Sequence, residues 1–170
     1  MIQLIRPSIN YEKEIEEFKQ EFILNGEKSI PGSELLDKMK SFSEWLEYVS
    51  RNADINTVSN DWVVTDTYIA IDDSCVVGII CLRYELNDFL KDFGHVGYSV
   101  RPSKRNKGIA TLMLKNVLKL ANNIGLEYLQ LSAFEDNVAS CKTIEKCGGV
   151  FLRSYEYLGN TVNLYTISLE

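Results

Sequence analysis

Hydrophobic residues recur with two different periods along the chain, and the change between them separates a helical first part from a strand-rich remainder. From Tyr11 to Asn25 the apolar positions step by three and four, with carboxylates on the opposite face, which predicts a surface helix that Gly26 ends. Ser41-Phe42-Ser43-Glu44 has the Ser-x-x-Glu form of a capping box and predicts a second helix. Residues 2–5 predict a short strand before both helices.

Strand-type composition follows the two helices. The segments 63–71 and 75–84 are rich in β-branched residues and are joined by Asp-Asp-Ser, which predicts a hairpin. A further strand is predicted over 95–100, and Gly94 and Gly97 flank its start. Because a glycine in a strand often marks a bulge or a close approach of the backbone to a ligand, this strand is a candidate binding edge.

The second half of the chain contains the clearest helix. Its apolar positions step by three and four from Ile109 to Ile124, and Gly125 stands where a helix C′ residue is expected. The following segments predict a strand over 126–134, a short helix over 137–147 and two strands within 150–169. The order β-α-β-α-β-β predicts an α/β fold with a mixed, mostly antiparallel sheet flanked by helices and a parallel crossover around the main helix.

Composition narrows the class of protein. With 45% hydrophobic and 25% charged residues, and without repeats or linkers, residues 1–170 are expected to form one globular domain. No apolar run is long enough to cross a membrane and the N-terminus has no signal-peptide core, so we expect a cytoplasmic protein that does not bind membranes. The four cysteines form no CxxC pair and the sole histidine is remote from them in sequence, so we expect reduced thiols and no metal site.

Positive charge is concentrated at one place in a chain of net charge −6. Four basic residues, Arg101, Lys104, Arg105 and Lys107, stand immediately before the helix that starts at Ile109. A helix N-terminus has unpaired N–H groups and partial positive charge, so the arrangement is typical of a phosphate site, although a solvated turn would look the same in sequence. The segment matches neither the P-loop nor the dinucleotide fingerprint. The acidic balance of the rest of the chain argues against nucleic acid as the ligand.

At these residues the chain resembles a known family. Arg105-Asn106-Lys107-Gly108-Ile109-Ala110 is similar to the Arg/Gln-x-x-Gly-x-Gly/Ala signature of the GNAT superfamily of acetyl-CoA-dependent N-acetyltransferases. Asn137-Val138-Ala139-Ser140, followed by Glu145-Lys146-Cys147-Gly148, resembles the family's second helix motif. Further segments are similar to a bacterial branch of unassigned substrate: Gly32-Ser33, Glu44-Trp45-Leu46, 78–83 and His95-Val96-Gly97-Tyr98. The resemblance covers nearly the whole chain.

The resemblance implies acetyl-CoA as acetyl donor and assigns residues to it. The pyrophosphate would lie on the backbone amides of Arg105, Asn106, Lys107, Gly108, Ile109 and Ala110. The pantetheine would run beside a splayed, bulged strand at Tyr98, Ser99 and Val100. Asn137 and Ser140 would contact the cofactor from the other side.

The expected reaction is acetyl transfer to a primary amine, more often that of a small molecule than of a protein, by direct attack of the amine. A lysine-like amine must first lose a proton, which costs roughly 4 kcal/mol near pH 7.5, so a base or a desolvating pocket is needed. His95 is the candidate base, with a structural hydrogen bond at the strand end as the alternative. The backbone N–H of Tyr98 is the candidate group to polarise the thioester carbonyl.

Two questions stay open at this stage. Ile144 stands where many members of the family carry the tyrosine that protonates the leaving thiolate, so another group acts, the thiolate leaves unprotonated, or the chain is a non-catalytic acyl-CoA-binding regulatory module. The acceptor pocket is the second question. Phe42, Trp45, Trp62 and the carboxylates of the first two helices are candidates to line it, with simple solvation as the alternative for the carboxylates. Acceptor identity and a homodimeric state are also left open.

Overall fold

The computed structural model describes residues 1–169 as two antiparallel sheets flanked by helices; Glu170, the last residue of the predicted domain, lies outside the described part. The helices are α1 (Glu12–Leu24), α2 (Phe42–Asn52), α3 (Ile109–Asn123) and α4 (Val138–Lys146). The strands are β1 (Gln3–Ile5), β2 (Thr65–Asp72), β3 (Cys75–Arg83), β4 (Val96–Val100), β5 (Tyr128–Phe134), β6 (Val150–Tyr157) and β7 (Asn160–Ser168). The elements predicted from the sequence are confirmed to within about two residues at nearly every boundary.

The strands form two sheets where one mixed sheet was expected. Their orders are β1-β2-β3-β4 and β5-β7-β6, and every ladder within residues 1–169 is antiparallel. Within residues 1–169, a single backbone bridge joins the two sheets, between Gly94 just before β4 and Leu131 of β5. Beside it the His95 N–H donates to Gln130 O at 2.7 Å. Beyond it β4 pairs with β3 and β5 pairs with β7, so the expected parallel pairing around α3 does not form. The facing edges of β4 and β5 are left unpaired, and the space between them is called the cleft.

Helices α1 and α2 cover one face of the four-stranded sheet. Ile15, Phe18 and Phe22 fall on one side of α1 and are fully buried against strand residues such as Ile69 and Ile79. This burial follows the predicted spacing of three and four, and removing each large side chain from water contributes about 2 kcal/mol. The predicted cap of α2 is also present, because the Ser41 side chain accepts from the Glu44 N–H at 3.2 Å.

Helix α3 packs on the opposite face of the four-stranded sheet. Met113, Leu114, Val117 and Ala121 are fully buried in a second core with residues of β3, β4 and β5. A Cβ at Gly78 would overlap the Met113 sulfur, so this glycine lets the helix rest directly on β3. The N-terminus of α3 therefore opens where β4 ends. No helix within residues 1–169 has the length and apolar character needed to cross a membrane.

Candidate cofactor and acceptor site

The basic turn, residues 101–108, presents a row of unpartnered backbone donors. Asn106 and Gly108 both have left-handed backbone, with φ of 61° and 77°, and α3 starts at the next residue. Within residues 1–169 the N–H groups from 106 to 111 have no hydrogen-bond partner, and the first helical bond runs from Leu112 N–H to Gly108 O. A Cβ at Gly108 would meet nothing within 4 Å. The turn is therefore an open anion site of the kind that helix N-termini provide.

Only half of the basic side chains are free to face an anion. Arg101 pairs with Glu21 at 2.5 Å, and Arg105 pairs with Glu27 at 2.7 Å while its guanidinium stacks over a ring of α1. The hydrogen bond from Arg105 lowers the pKa of Glu27, whereas burial would raise it. These two ion pairs hold the basic turn against the end of α1. Lys104 and Lys107 form no ion pair with a described residue, so they supply the positive charge that remains.

Within the described residues, the edge of β4 that faces β5 has no strand partner from 96 to 100, although its Val100 carbonyl oxygen accepts from Arg105 Nε at 3.2 Å. Arg83 N–H donates to His95 O at 2.7 Å, and Arg101 N–H donates to Val77 O at 2.8 Å, which fixes the hydrogen-bonded pairs of the β3–β4 ladder. Because such pairs alternate along an antiparallel ladder, the N–H and C=O of Tyr98 point to the other edge, into the cleft beside β5. The register of β4 with β3 is continuous from 96 to 100. The bulge expected here is therefore wrong, although the splaying from β5 is present.

The α1–α2 loop, residues 25–41, lies directly over the other face of β4. A Cβ at Gly32, whose φ is 76°, would overlap the peptide between Gly97 and Tyr98. The Ser99 hydroxyl donates to Pro31 O at 2.6 Å on the same face. The close backbone approach expected at Gly97 is therefore that of the α1–α2 loop. The structure places the Ser99 side chain on the loop side, away from α3 and α4.

His95 joins the two sheets where they separate. The residue is only 4% exposed, and Nδ1 accepts from the Gln130 N–H at 2.9 Å. Burial, aided by the charge of Arg83, lowers the pKa of His95 to about 4. A neutral imidazole that accepts at Nδ1 carries its proton on Nε2, so neither nitrogen is available to take a proton from an amine. The geometry favours a structural hydrogen bond as the role of His95 over that of general base. The role as general base stays a prediction.

The start of α4 meets β4 across the cleft. Asn137 Oδ1 caps this helix by accepting from the Ser140 N–H at 3.2 Å. The Tyr98 hydroxyl lies 2.9 Å from Ser140 Oγ. Burial raises the pKa of Tyr98 to about 12, so its side chain is a neutral phenol at physiological pH. Ile144 is fully buried in the core on the same helix.

The aromatic residues expected in an acceptor pocket divide into two groups. Phe42 and Trp45 are buried in the core below α2, and the Trp45 indole donates to Ser33 O at 2.8 Å, so neither lines a pocket. Trp62, in contrast, lines a depression of about 400 Å³. This acidic depression is formed by residues 60–63 and 85–89, which include Asp61, Glu85, Asp88 and Phe89. Sequence reasoning missed the contribution of 85–89, because an acidic loop with one aromatic residue has no distinctive pattern.

A buried ion pair beneath the α1–α2 loop was also missed. Arg83 lies 3.3 Å from Glu34, with side-chain exposures of 14% and 5%, and it also donates to Gly94 O at 3.0 Å. Glu34 and Leu35 have left-handed backbone, with φ of 51° and 69°, which is a strained conformation for residues other than glycine. The partners are 49 positions apart, and no local signal could have paired them.

A comparison of the sequence with protein-family models decides the family. The model of the GNAT acetyltransferase domain matches residues 21–150, from α1 to the start of β6. The chain belongs to the GNAT family. The predicted family, the α/β fold class and the enzyme class, an acetyl-CoA-dependent N-acetyltransferase with acetyl-CoA as donor, are confirmed.

Solved structures of other GNAT proteins share the fold at low sequence identity. A GNAT acetyltransferase from Streptococcus pneumoniae is 18% identical with a TM-score of 0.74, and 100% of each chain is covered. The microcin C7 self-immunity acetyltransferase in complex with acetyl-CoA and AMP is 17% identical with a TM-score of 0.71, covering 98% of this chain and 92% of that one. A spermidine N-acetyltransferase chimera of Vibrio cholerae and human sequence is 16% identical with a TM-score of 0.66, covering 99% and 95%. No curated protein matches the sequence.

Proposed function

We propose that this GNAT protein acetylates the primary amine of a small cationic molecule, and that the amine attacks the acetyl group directly. The observation that carries the proposal is the row of unpartnered N–H groups at 106–111 beside the edge of β4 that faces β5. These amides, from the turn that starts at Arg105, would hold the pyrophosphate of acetyl-CoA with Lys104 and Lys107. The backbone of Tyr98 and the N–H of Val100 would pair with the pantetheine, while the Val100 carbonyl oxygen accepts from Arg105 Nε. Asn137 and Ser140 would contact the pantetheine from α4.

Acetyl-CoA supplies an activated thioester, and β4 would prepare it for attack. The Tyr98 N–H points into the cleft, where a donor can stabilise the negative charge that develops on the carbonyl oxygen. Removing such a donor typically costs about 100-fold or more in turnover. The α1–α2 loop covers the other face of the same peptide and would exclude water from the reacting groups.

The acidic depression supports a cationic acceptor. Asp61, Glu85 and Asp88 form no ion pair with a described cation, and Trp62 and Phe89 lie beside them with ring centroids 6.4 Å apart. Carboxylates and aromatic faces together suit an ammonium group. A second charged group of the acceptor would bind there while its reactive amine reaches the cleft. The spermidine N-acetyltransferase among the structural neighbours acts on an amine of this class.

A second candidate is an acyl-CoA-binding module without turnover. It is favoured by Ile144, which is apolar and buried where a proton donor would assist the leaving thiolate. Release of free thiol from acetyl-CoA over a panel of polyamines, amino acids and dipeptides separates the two. The enzyme releases thiol with at least one cationic amine, and the module binds the cofactor without release.

We also propose a cytoplasmic location, which four free cysteines support.

A further inference from the structure

The outer edge of the second sheet is an unpaired strand. Strand β6 is the last in the order β5-β7-β6, so one of its edges pairs with β7 and the other has no partner strand within residues 1–169. No backbone hydrogen bond outside the β6–β7 ladder involves 150–157 in this part of the chain. The strand is eight residues long and contains neither lysine nor proline, which commonly protect an exposed edge. It contains one protective feature, a bulge between Phe151 and Arg153.

Large apolar side chains are exposed along β6 and the turn that follows it. They are between 37% and 81% exposed, and they are Val150, Phe151, Leu152, Tyr157 and Leu158. Two half-exposed aromatic residues and three aliphatic ones offer on the order of 500 Å² of surface. If two copies of the chain buried this surface together, the interface would reach about 1,000 Å², which is the lower limit for a specific protein–protein contact.

The charge of this segment suits a second copy of the same chain. Residues 150–158 contain one basic and one acidic residue, Arg153 and Glu156, so the segment is neutral in a chain of net charge −6. Two acidic copies repel each other, and the repulsion is least where neutral apolar strands meet. Two identical strands that pair in antiparallel fashion are related by a two-fold axis, so each supplies the backbone groups that the other lacks. A second copy therefore satisfies both the backbone and the apolar side chains of this edge.

One face of β6 holds the 85–93 loop, whose first part lines the acidic depression. The Arg153 guanidinium pairs with the Asp92 carboxylate, and the Tyr155 hydroxyl donates to the Asp92 carbonyl oxygen. Because Arg153 and Tyr155 are two residues apart in a strand, they project from the same face. The position of β6 therefore sets the position of the end of the loop.

Aromatic rings continue this contact from β6 to the depression. Tyr157 meets Phe93 edge-on, with ring centroids 5.2 Å apart, and Phe93 packs on Phe89 at 4.9 Å. Phe89 lines the depression together with Trp62. Exposed segments with few buried contacts open locally at low cost in free energy, so an unpaired β6 would loosen this row of rings. A strand paired along its outer edge would hold the row in place.

We propose that a second copy of this chain docks on β6 by antiparallel strand pairing, and that this contact fixes the 85–93 loop. The pairing joins the three-stranded sheets of the two copies into one continuous sheet. The value of a fixed loop for an amine acceptor rests on the proposed function, whereas the docking itself does not. An interface of this size belongs to the weaker specific contacts, so we expect dissociation in the micromolar range.

Sedimentation velocity over a range of protein concentrations tests the docking. The wild-type protein should change from one chain to two as its concentration rises through the micromolar range. Phe151→Glu should weaken the dimer by at least about 100-fold, because the interface would bury an unpaired charge from each copy. Leu152→Glu should act in the same direction, and the thermal midpoint of each variant establishes that it is folded.

Ile9→Glu is the matched control for these variants. Ile9 is 62% exposed, against 54% for Phe151, but it lies before α1 and away from β6. The substitution adds the same charge to the chain without touching the edge strand. It should change the dissociation constant by less than about threefold, as expected of a surface substitution outside the interface.

Hydrogen exchange of the loop amides tests the coupling without any substrate. The N–H groups of Phe93 and Gly94 both donate to Leu90 O, at 2.9 Å and 2.7 Å, so their exchange reports opening of the loop. In the wild-type dimer these amides should exchange at least about tenfold more slowly than in Phe151→Glu. The Leu112 N–H, which donates to Gly108 O in α3, is the internal reference and should exchange equally in both proteins.

Three results separate the parts of the proposal. A wild-type protein that stays a single chain at all concentrations overturns the docking, and β6 would then serve a different partner. A dimer that both edge variants leave intact overturns it as well, because the copies would meet elsewhere. Equal exchange of the loop amides in dimer and monomer overturns the coupling to the depression. A protein that releases thiol with no amine refutes the proposed function alone, since sedimentation and exchange are measured without substrate.

Discussion

The two faces of β4 are built in different ways. On the α3 face, the donors for an anion come from six consecutive amides at 106–111, and the turn that carries them is one short segment. On the opposite face, Gly32, Glu34 and Arg83 come from distant parts of the chain and meet over the strand. The difference teaches that the candidate anion site is a local motif, whereas the loop contact on the opposite face is assembled by tertiary contacts.

The largest effect is expected from Gly108→Glu, which disrupts the local motif at the start of α3. The substitution places a carboxylate beside the unpartnered amides and forces a non-glycine residue into a φ of 77°. Acetyl-CoA binding should fall by at least 100-fold, measured by calorimetry. Gly125→Glu is the matched control, since Gly125 has a φ of 84° and also meets nothing within 4 Å, but lies at the far end of α3. Equal losses in both variants would show strain rather than a cofactor site.

Gly32→Ala tests the tertiary contact on the opposite face. A methyl group there would overlap the backbone of Gly97 and Tyr98, so it should destabilise the protein by about 2–4 kcal/mol through strain and steric overlap. Gly26→Ala, with a φ of 75° and nothing within 4 Å, carries the strain without the overlap. It should cost about 1 kcal/mol in urea unfolding. If the two variants were equally stable, the loop would not rest on β4.

The junction between the two sheets should make stability depend on pH through His95. Its pKa is lowered to about 4 in the folded protein, against the ordinary value of 6.5. The stabilisation is therefore complete above pH 6.5 and is lost as the pH falls from there through about 4, by up to roughly 3 kcal/mol. His95→Gln should flatten this part of the urea-unfolding profile. If it also shifts the acidic limb of the pH–rate profile, His95 acts in proton transfer after all.

The smallest effects concern the charges around the basic turn. Lys107→Gln should weaken acetyl-CoA binding by about two- to fivefold at low salt, and Glu27→Gln should strengthen it slightly by freeing Arg105. Both changes should shrink at high ionic strength, because the side chains are near the surface. Titrations at low and high salt check the signs. Effects of the same sign in both variants would contradict the charge arrangement.

What could be predicted from the sequence follows the same division. The spacing of Ile15, Phe18 and Phe22 predicts α1, and the motif ending at Gly108-Ile109-Ala110 predicts the turn, because each pattern lies within a few consecutive residues. The burial of Trp45 could not be anticipated, since it depends on the path of the α1–α2 loop.

The hydrogen bonds of a buried polar group depend on which strands meet. His95 reads as a candidate base in sequence, but Nδ1 accepts from Gln130, 35 positions away. Ser99 likewise reads as part of the cofactor strand, while its hydroxyl donates to Pro31 on the other face. In both cases the residue type is compatible with catalysis or binding, and the tertiary partner decides the role.

The thermal midpoint of the wild-type protein with and without saturating acetyl-CoA tests the central claim most directly. A ligand at about 100 times its Kd adds about 2.7 kcal/mol to the stability of the folded state. For a chain of this size the midpoint should rise by roughly 5 to 10 °C, and the rise should disappear in Gly108→Glu. A folded wild-type protein whose midpoint does not move would contradict the placement of acetyl-CoA at the N-terminus of α3.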